Sequence, residues 1–204
     1  MKNHDNIKQG SPEWHQIRKG KVTGTALKKI MGTPKAREEA YYEIIAERLT
    51  VGLDDENENP MDRGTRLEPE AIAAFEFETG KKVEITGFCE DDDDPMICNS
   101  PDGLIPKENA AVEVKCMGGK NHVKMWLKNE VPDDYEWQVV QYFVLNKKLE
   151  VLYFIGYNPN IETHPLHIIE VRREEIQAKI DEAKTAQKVF LAEVNETLEK
   201  LIKF

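Results

Sequence analysis

Apolar residues recur along the chain at two different spacings. Segments in which they return every three or four positions predict amphipathic helices, and short runs in which they alternate or adjoin predict strands. The predicted helices span residues 11–20, 23–31, 35–50, 61–79, 120–129, 132–146 and 172–204. The predicted strands span residues 83–90, 96–98, 111–116, 152–157 and 166–171. This mixture predicts an α/β fold in which helices flank a central mixed sheet.

The last predicted helix carries one long apolar stripe, which we expect to pack on the sheet or against another subunit. The stripe consists of Ile176, Ile180, Ala183, Phe190, Val194, Leu198 and Leu201. A chain of 204 residues has the length of one domain. We therefore expect a single domain over residues 1–204, with residues 172–204 as a C-terminal packing or oligomer-contact helix.

The net charge of −10 is unevenly distributed. Residues 1–50 carry +4, residues 51–100 carry −11 and the remainder carries −3. Acid is concentrated at residues 54–60 and 90–94, which we predict to be solvated loops. An acidic exterior with a local basic region argues against general coating of nucleic acid but allows a local groove for it.

The apolar runs are too short to cross a membrane, and the first residues lack the apolar segment of a signal peptide. We therefore expect a soluble, cytoplasmic protein that contacts no membrane. The three cysteines, Cys89, Cys98 and Cys116, fit neither a disulfide framework nor a zinc site, and we expect them in the core.

The strand at residues 111–116 carries the first candidate chemistry. Because side chains two apart share a face, Glu113 and Lys115 point to one side of the strand, opposite to Val112 and Val114. Asp102 lies in a turn about ten residues upstream and is expected to approach the same place. We predict that this is a hairpin, with an apolar run at residues 96–98 and turns at residues 101–103 and 107–109.

Two carboxylates and a lysine suit metal-assisted cleavage of a phosphodiester. Carboxylate oxygens bind Mg²⁺, the metal polarises the phosphate and activates water, and the amine steadies the developing charge. A Glu-x-Lys pair alone is common on protein surfaces. Its apolar strand and the upstream Pro-Asp favour a metal site instead.

Glu68 lies on the apolar stripe of its helix, four residues before Ile72 and seven before Phe75. A buried carboxylate needs a cation. The metal could supply this charge, and Arg63 or Lys115 could do so instead.

The histidines carry no clear chemistry in the sequence. We expect His122 on the surface or toward DNA, and His164 and His167 on a turn and strand surface rather than in a zinc site.

Four sequence segments together identify a resemblance. The segment SPDGL followed by VEVKC has the spacing of the PD-(D/E)xK nuclease motif. Together with WHQIRKGKVTGTAL and RGTRLEPEAIAAFEFETG, it resembles the phage lambda-type exonuclease family, also described as YqaJ-like viral recombinases or alkaline exonucleases. The resemblance extends over residues 11–158 and implies a restriction-endonuclease-like core.

The resemblance also implies roles for individual residues. Asp102, Glu113, the Val114 carbonyl and Glu68 would hold the metal, and Lys115 would orient the attacking water. The pocket for the 5′-phosphate of a DNA end would consist of Trp14, Arg18, Thr25, Ser100, Gln138 and Gln141, with Gln138 matching the family better than Gln141.

The implied activity is a Mg²⁺-dependent 5′→3′ exonuclease that digests one strand of linear duplex DNA and leaves a 3′ single-stranded overhang for phage recombination. The resemblance further implies two metal ions per site with Mn²⁺ as a substitute, a ring-shaped homotrimer, a single-strand annealing protein as partner, and the bacterial cytoplasm as location. The alternatives are a restriction- or repair-type endonuclease and a non-catalytic DNA-end-binding protein.

Overall fold

The computed structural model describes residues 1–49 and 62–202. The acidic loop predicted at residues 54–60, the predicted helix start at Met61 and the predicted helix end at Phe204 lie outside the described residues. The side chain of Arg63, one alternative partner of Glu68, lies outside them as well.

The described helices agree closely with the predicted ones, and Ser11 and Thr23 cap α1 and α2 as their sequences suggest. The helices are α1 (Pro12–Arg18), α2 (Gly24–Ile30), α3 (Pro34–Leu49), α4 (Asp62–Thr79), α5 (Gly119–Lys128), α6 (Glu136–Leu145) and α7 (Gln177–Ile202). The strands are β1 (Lys2–Asn3), β2 (Cys89–Glu90), β3 (Cys98–Asn99), β4 (Gly103–Ile105), β5 (Ala110–Lys115), β6 (Val151–Tyr157) and β7 (Leu166–Arg172).

The main sheet of the described chain has the strand order β4-β5-β6-β7. Strands β4 and β5 are antiparallel, β5 and β6 are parallel, and β6 and β7 are antiparallel. The predicted mixed sheet with flanking helices is therefore confirmed. A small second sheet has the order β1-β2-β3.

The alternation of β5 divides the core between the two faces of the main sheet. Val112 and Val114 pack in the cluster that contains Phe75 of α4. Ala111 points the other way, into the cluster built with α6 and α7. Glu113, two residues beyond Ala111, therefore faces α6.

Helix α7 packs mainly on α2, α3 and α6, and it belongs to the same hydrophobic cluster as one face of the main sheet. Ile180, Ala183, Phe190 and Val194 from the predicted stripe are buried in this contact, whereas Leu201 is half exposed. The C-terminal helix thus completes the core on the α6 side of the sheet.

The predicted strand at residues 83–90 is mostly wrong. Only Cys89–Glu90 is a strand, and Glu84 makes an isolated bridge to Leu104. The N-terminal segment packs closely against this region. A Cβ added at Gly87 would overlap the carbonyl oxygen of Ile7. A contact between segments 80 residues apart leaves no trace in the local hydrophobic pattern.

The predicted hairpin needs a similar correction. Its turn at residues 107–109 is confirmed: Pro106–Glu108 form a 3₁₀ turn, and Asn109 has the left-handed φ of 48° that asparagine tolerates. The partner of β5 is β4, however, and the apolar run at residues 96–98 leads into β3 of the small sheet. Asp102 consequently lies where the chain passes from one sheet to the other.

Among the described residues, no helix is both long and apolar enough to cross a membrane.

Candidate active site

Asp102 and Glu113 are both buried, although each bears a carboxyl group. The backbone N–H of Val114 donates to Oδ2 of Asp102 at 2.7 Å, which ties the residue preceding β4 to the edge of β5. The N–H and C=O of one strand residue point to the same edge. The Val114 carbonyl therefore emerges on the same side as Asp102.

Three donors converge on the Glu113 carboxylate. Nε2 of Gln138 donates to Oε1 at 2.6 Å, the Tyr142 hydroxyl donates to Oε2, and the Lys115 ammonium forms an ion pair with Oε1. The alternation of β5 brings Lys115 to this face, and α6 supplies the other two donors. The buried charge is thereby fully hydrogen-bonded.

Tyr142 is the site residue that sequence reasoning missed. Its hydroxyl also lies 3.3 Å from the Val112 carbonyl and 3.4 Å from the Asp102 nitrogen, so it joins β5, α6 and the Asp102 turn. The available signal was its spacing, because Tyr142 follows Gln138 by four residues and shares its helix face.

The carboxylates of the site repel one another. Burial, followed by the negative charges of Glu113 and Glu68, raises the pKa of Asp102 well above its usual value. Burial and the charge of Glu113 likewise raise the pKa of Glu68, which Lys115 partly opposes. Glu68 of α4 therefore belongs to the same electrostatic cluster, as the sequence suggested.

Lys115 carries the compensating charge of this cluster. Burial lowers its pKa, but the negative charges of Glu113 and Asp102 outweigh this effect and hold the pKa above its usual value. Its ammonium also lies 5.1 Å from the centre of the Tyr135 ring. Lys115 is thus protonated at neutral pH and can act as a charged donor.

The donor chemistry fits a divalent cation. Within the described residues no three acidic, histidine or cysteine side chains already converge as a metal-binding group. The Glu113 carboxylate is instead bonded to Lys115, Gln138 and Tyr142. The carboxylates of Asp102, Glu113 and Glu68 are nevertheless hard oxygen donors whose mutual repulsion a divalent ion would relieve. Metal binding here stays a prediction.

A second polar group is built around Ser100. Its hydroxyl oxygen accepts hydrogen bonds from Nε1 of Trp14 at 2.8 Å and from Nη1 of Arg18 at 2.7 Å. The Arg18 guanidinium stacks over the Trp14 ring at 4.0 Å, and Trp14 also donates to the Gly87 carbonyl. The three predicted residues Trp14, Arg18 and Ser100 therefore meet.

Arg18 has the properties of an anion-binding group. Burial lowers the pKa of its guanidinium, and the charge of Glu47 partly opposes this shift. Arginine nevertheless stays protonated at neutral pH. In the part of the chain that the structure describes, Arg18 forms no ion pair with a carboxylate, which leaves a partly buried cation that an incoming phosphate could neutralise.

The predicted phosphate pocket and the carboxylate cluster adjoin each other. Only Pro101 separates Ser100 from Asp102 in the chain. Helix α2 packs on α6 nearby. The approach is close, because a Cβ added at Gly24 would lie 3.1 Å from Cγ of Gln138. Thr25 follows Gly24 and lies exposed in the first turn of α2, without a hydrogen bond to the Trp14 and Arg18 pair among the described residues.

The two candidate glutamines have different environments. Gln138 reaches Glu113, whereas Gln141 is fully buried. Nε2 of Gln141 donates to the carbonyls of Val22 and Cys98 and to Gln187, which ties α6 to the small sheet and to α7. Gln138 is therefore the glutamine of this helix that lies at the candidate site.

The expectation for His122 is wrong, because this side chain is 1% exposed. Its Nε2 lies 2.8 Å from the His164 carbonyl oxygen, and the ring packs against Gly156 of β6. His164 is exposed and His167 is half-buried, and neither forms a metal-binding group with its neighbours in the described residues.

Comparisons with known proteins give the same fold. The alkaline exonuclease LHK-Exo from Laribacter hongkongensis is 27% identical, with a TM-score of 0.86 over 95% of this chain and 97% of that chain. The structure of LHK-Exo in complex with dAMP is similar to the same extent, with a TM-score of 0.85. A phage-related exonuclease from Haemophilus somnus 129PT, 17% identical, shares the fold with a TM-score of 0.62 over 89% of this chain and 96% of that chain.

A search of curated protein sequences gives no match. The family model described as the YqaJ-like viral recombinase domain matches residues 13–146, which is more than half of the chain and includes Asp102, Glu113 and Lys115. The resemblance stated from the sequence motifs is thereby confirmed, and the chain belongs to the YqaJ-like viral recombinase family.

Proposed function

We propose that the chain is a metal-dependent DNA exonuclease that digests one strand of linear duplex DNA from a 5′-phosphorylated end. The observation that carries this proposal is the adjacency of two sites. A cation suited to a terminal phosphate, Arg18, bonds to Ser100, and Ser100 is two residues from Asp102 of the carboxylate cluster. The two alkaline exonuclease structures, one of them with a deoxynucleoside monophosphate bound, support this class of substrate.

The end of the DNA is held by the Ser100 group. The Arg18 guanidinium, oriented by Trp14, donates to the terminal phosphate. Ser100 accepts hydrogen bonds from both residues, so its hydroxyl proton is free to point at the same phosphate. Gln138 contacts both the first turn of α2 at Gly24 and the Glu113 carboxylate. Register on the terminal nucleotide follows from these contacts.

The carboxylate cluster carries the chemistry. Asp102, Glu113, Glu68 and the Val114 carbonyl would hold one or two Mg²⁺ ions, for which Mn²⁺ would substitute. Bound divalent ions supply Lewis-acid polarisation of the phosphate and activation of water. Lys115, whose ammonium is paired with Glu113 in the structure, would orient the attacking water and stabilise negative charge on the phosphate.

The biological setting is proposed from the family alone. Digestion of one strand leaves a 3′ single-stranded tail, which suits phage recombination through a single-strand annealing partner in the bacterial cytoplasm. A ring-shaped homotrimer around the duplex is proposed on the same basis.

Digestion of defined ends tests this function. A blunt linear duplex would carry a 5′-phosphate on one strand and a 5′-hydroxyl on the other, with Mg²⁺ present. We expect the phosphorylated strand to disappear as mononucleotides, while its complement and a supercoiled circle stay intact. The Glu113→Gln variant controls for contaminating nuclease, and the Arg18→Ala variant should lose the preference between the two ends.

Other outcomes identify the alternatives. Nicking of the supercoiled circle would indicate an endonuclease. Binding of the linear ends without release of nucleotides would indicate a non-catalytic end-binding protein.

A further inference from the structure

Helix α5 presents a concentrated positive charge on an acidic protein. The segment at residues 116–129 contains Lys120, Lys124 and Lys128 and no acidic residue, whereas the whole chain has a net charge of −10. All three lysines are exposed, and none forms an ion pair with any described residue.

The helix lies beside the candidate active site. It begins four residues after Lys115, and its buried face, which includes Met125, rests on Gly156. Gly156 is the β6 residue in register with Lys115, and a Cβ there would overlap the end of the Met125 side chain. The missing side chain at residue 156 therefore allows α5 to lie close to the strand that carries Lys115.

Helix α5 also exposes apolar side chains at positions that lie between its lysines in the sequence. Val123, Trp126 and Leu127 are 46%, 41% and 70% exposed. The Trp126 ring contacts His164 edge-on at 4.8 Å, which holds its orientation while part of the ring stays accessible. A surface that binds single-stranded nucleic acid usually combines positive charges with an accessible aromatic ring, and α5 carries both.

We propose that α5 is a second DNA-binding surface, which holds a single-stranded stretch of the substrate next to the active site. The lysines, spaced by four residues or about 6 Å along the helix, contact successive phosphates. Trp126 lies about a third of a turn round the helix from Lys120, and a base of the strand that passes this edge of the helix stacks on it. The charge of α5 complements the strand it binds. The inference rests on the proposed function for its substrate, and it adds a contact surface outside the carboxylate cluster and the Ser100 group.

Binding measurements on the full chain in EDTA test the surface without cleavage. The probe is a fluorescent single-stranded oligonucleotide, followed by anisotropy at several salt concentrations. For the double variant Lys124→Gln/Lys128→Gln we expect about tenfold weaker binding at 0.1 M salt and a salt slope smaller by about 1.4, or about 0.7 for each lysine. The matched control is Lys184→Gln/Lys188→Gln, which removes two lysines with the same spacing from α7.

The aromatic contact has its own pair of variants. Trp126→Leu should weaken binding of the single strand by about tenfold, and Trp126→Phe should restore most of it, because stacking needs a ring rather than apolar volume. Equal effects of the two variants would overturn the stacking assignment.

The proposal is overturned if the α5 and α7 double variants have the same affinity and the same salt slope. It is also overturned if sedimentation shows that Lys124→Gln/Lys128→Gln changes the oligomeric state, since α5 would then face protein. Failure of the proposed function would give a different result. If the wild-type protein binds the strand through α5 but releases no nucleotide from linear DNA, the binding surface is supported and the exonuclease function is not.

Discussion

At the scale of single residues, the site depends on how one carboxylate is satisfied. Glu113 has a donor on each oxygen and a cation beside it, while Asp102 has one backbone donor and a strongly raised pKa. Glu113 therefore has both hydrogen-bond donors and an ion-pair partner, whereas the carboxylate of Asp102 has a backbone donor and no ion-pair partner among the described residues. Neither Asp102 nor Glu68 forms a direct ion pair with a described residue, and this is the physical reason to expect a metal ion beside them.

Removal of the Lys115 side chain should reduce the cleavage rate without weakening the binding of DNA. We expect Lys115→Ala to reduce the cleavage rate by about a hundred- to a thousandfold, the range for losing one preorganised donor to developing charge. Binding of linear duplex in EDTA should persist, because the Ser100 group is unchanged. Lys82→Ala, at an exposed lysine on another loop, is the control. Near-normal turnover of Lys115→Ala would remove this residue from the chemistry.

The sequence predicted those residue relations that are local. Strand alternation alone placed Glu113 and Lys115 on one face. The apolar pattern of α6 could not identify Tyr142, because this helix is buried nearly all round and the pattern distinguishes no face. The preference for Gln138 over Gln141 came from the family resemblance and not from the pattern. The surface position predicted for His122 was wrong for a similar reason. Its helix carries several lysines, which is typical of an exposed helix, but the His122 ring is buried against Gly156 of a distant strand.

At the scale of elements, the site forms where distant segments meet. Asp102 lies at the passage between the two sheets, Glu68 comes from α4, and the Ser100 group needs α1. Short strands such as β1 and β3 have too few residues to show a periodic pattern. Their pairing, and hence the position of the turn before β4, followed from tertiary contacts alone.

A substitution at Gly87 tests whether packing of the N-terminal segment stabilises the Ser100 group. We expect Gly87→Ala to displace the chain from the Ile7 carbonyl and to disturb the Gly87 carbonyl that Trp14 donates to. Unfolding free energy should fall by about 1–3 kcal/mol, and the preference for 5′-phosphorylated ends should weaken several-fold in the digestion assay. Gly119→Ala, where a Cβ meets no atom within 4 Å, is the matched control. An unchanged end preference in Gly87→Ala would detach this contact from end recognition.

At the scale of the whole molecule, the carboxylate cluster lowers the stability of the protein when no metal is present. A carboxyl with a raised folded-state pKa binds more protons folded than unfolded, so its contribution to stability falls as pH rises from about 4, the unfolded value for Asp, toward the raised pKa. Asp102 has such a shift. Bound cations would reverse the loss.

Asp102→Asn should therefore stabilise the protein in EDTA while it abolishes cleavage. Urea unfolding at pH 5 and pH 8 measures this effect, and we expect the variant to exceed the wild type at pH 8 and to show a smaller decline between the two pH values. Asp133→Asn, at an exposed aspartate, should behave like the wild type. A less stable Asp102→Asn protein at pH 8 would contradict the assigned charge repulsion.

The central claim is that buried carboxylates gather a divalent ion next to a pocket for the DNA end. The most direct measurement is the anomalous scattering of crystals soaked in Mn²⁺. We predict a peak coordinated by Asp102 and Glu113, with Lys115 moved away from the Glu113 carboxylate. An ordered site without such a peak, with Lys115 still bound to Glu113 at saturating Mn²⁺, would contradict the claim.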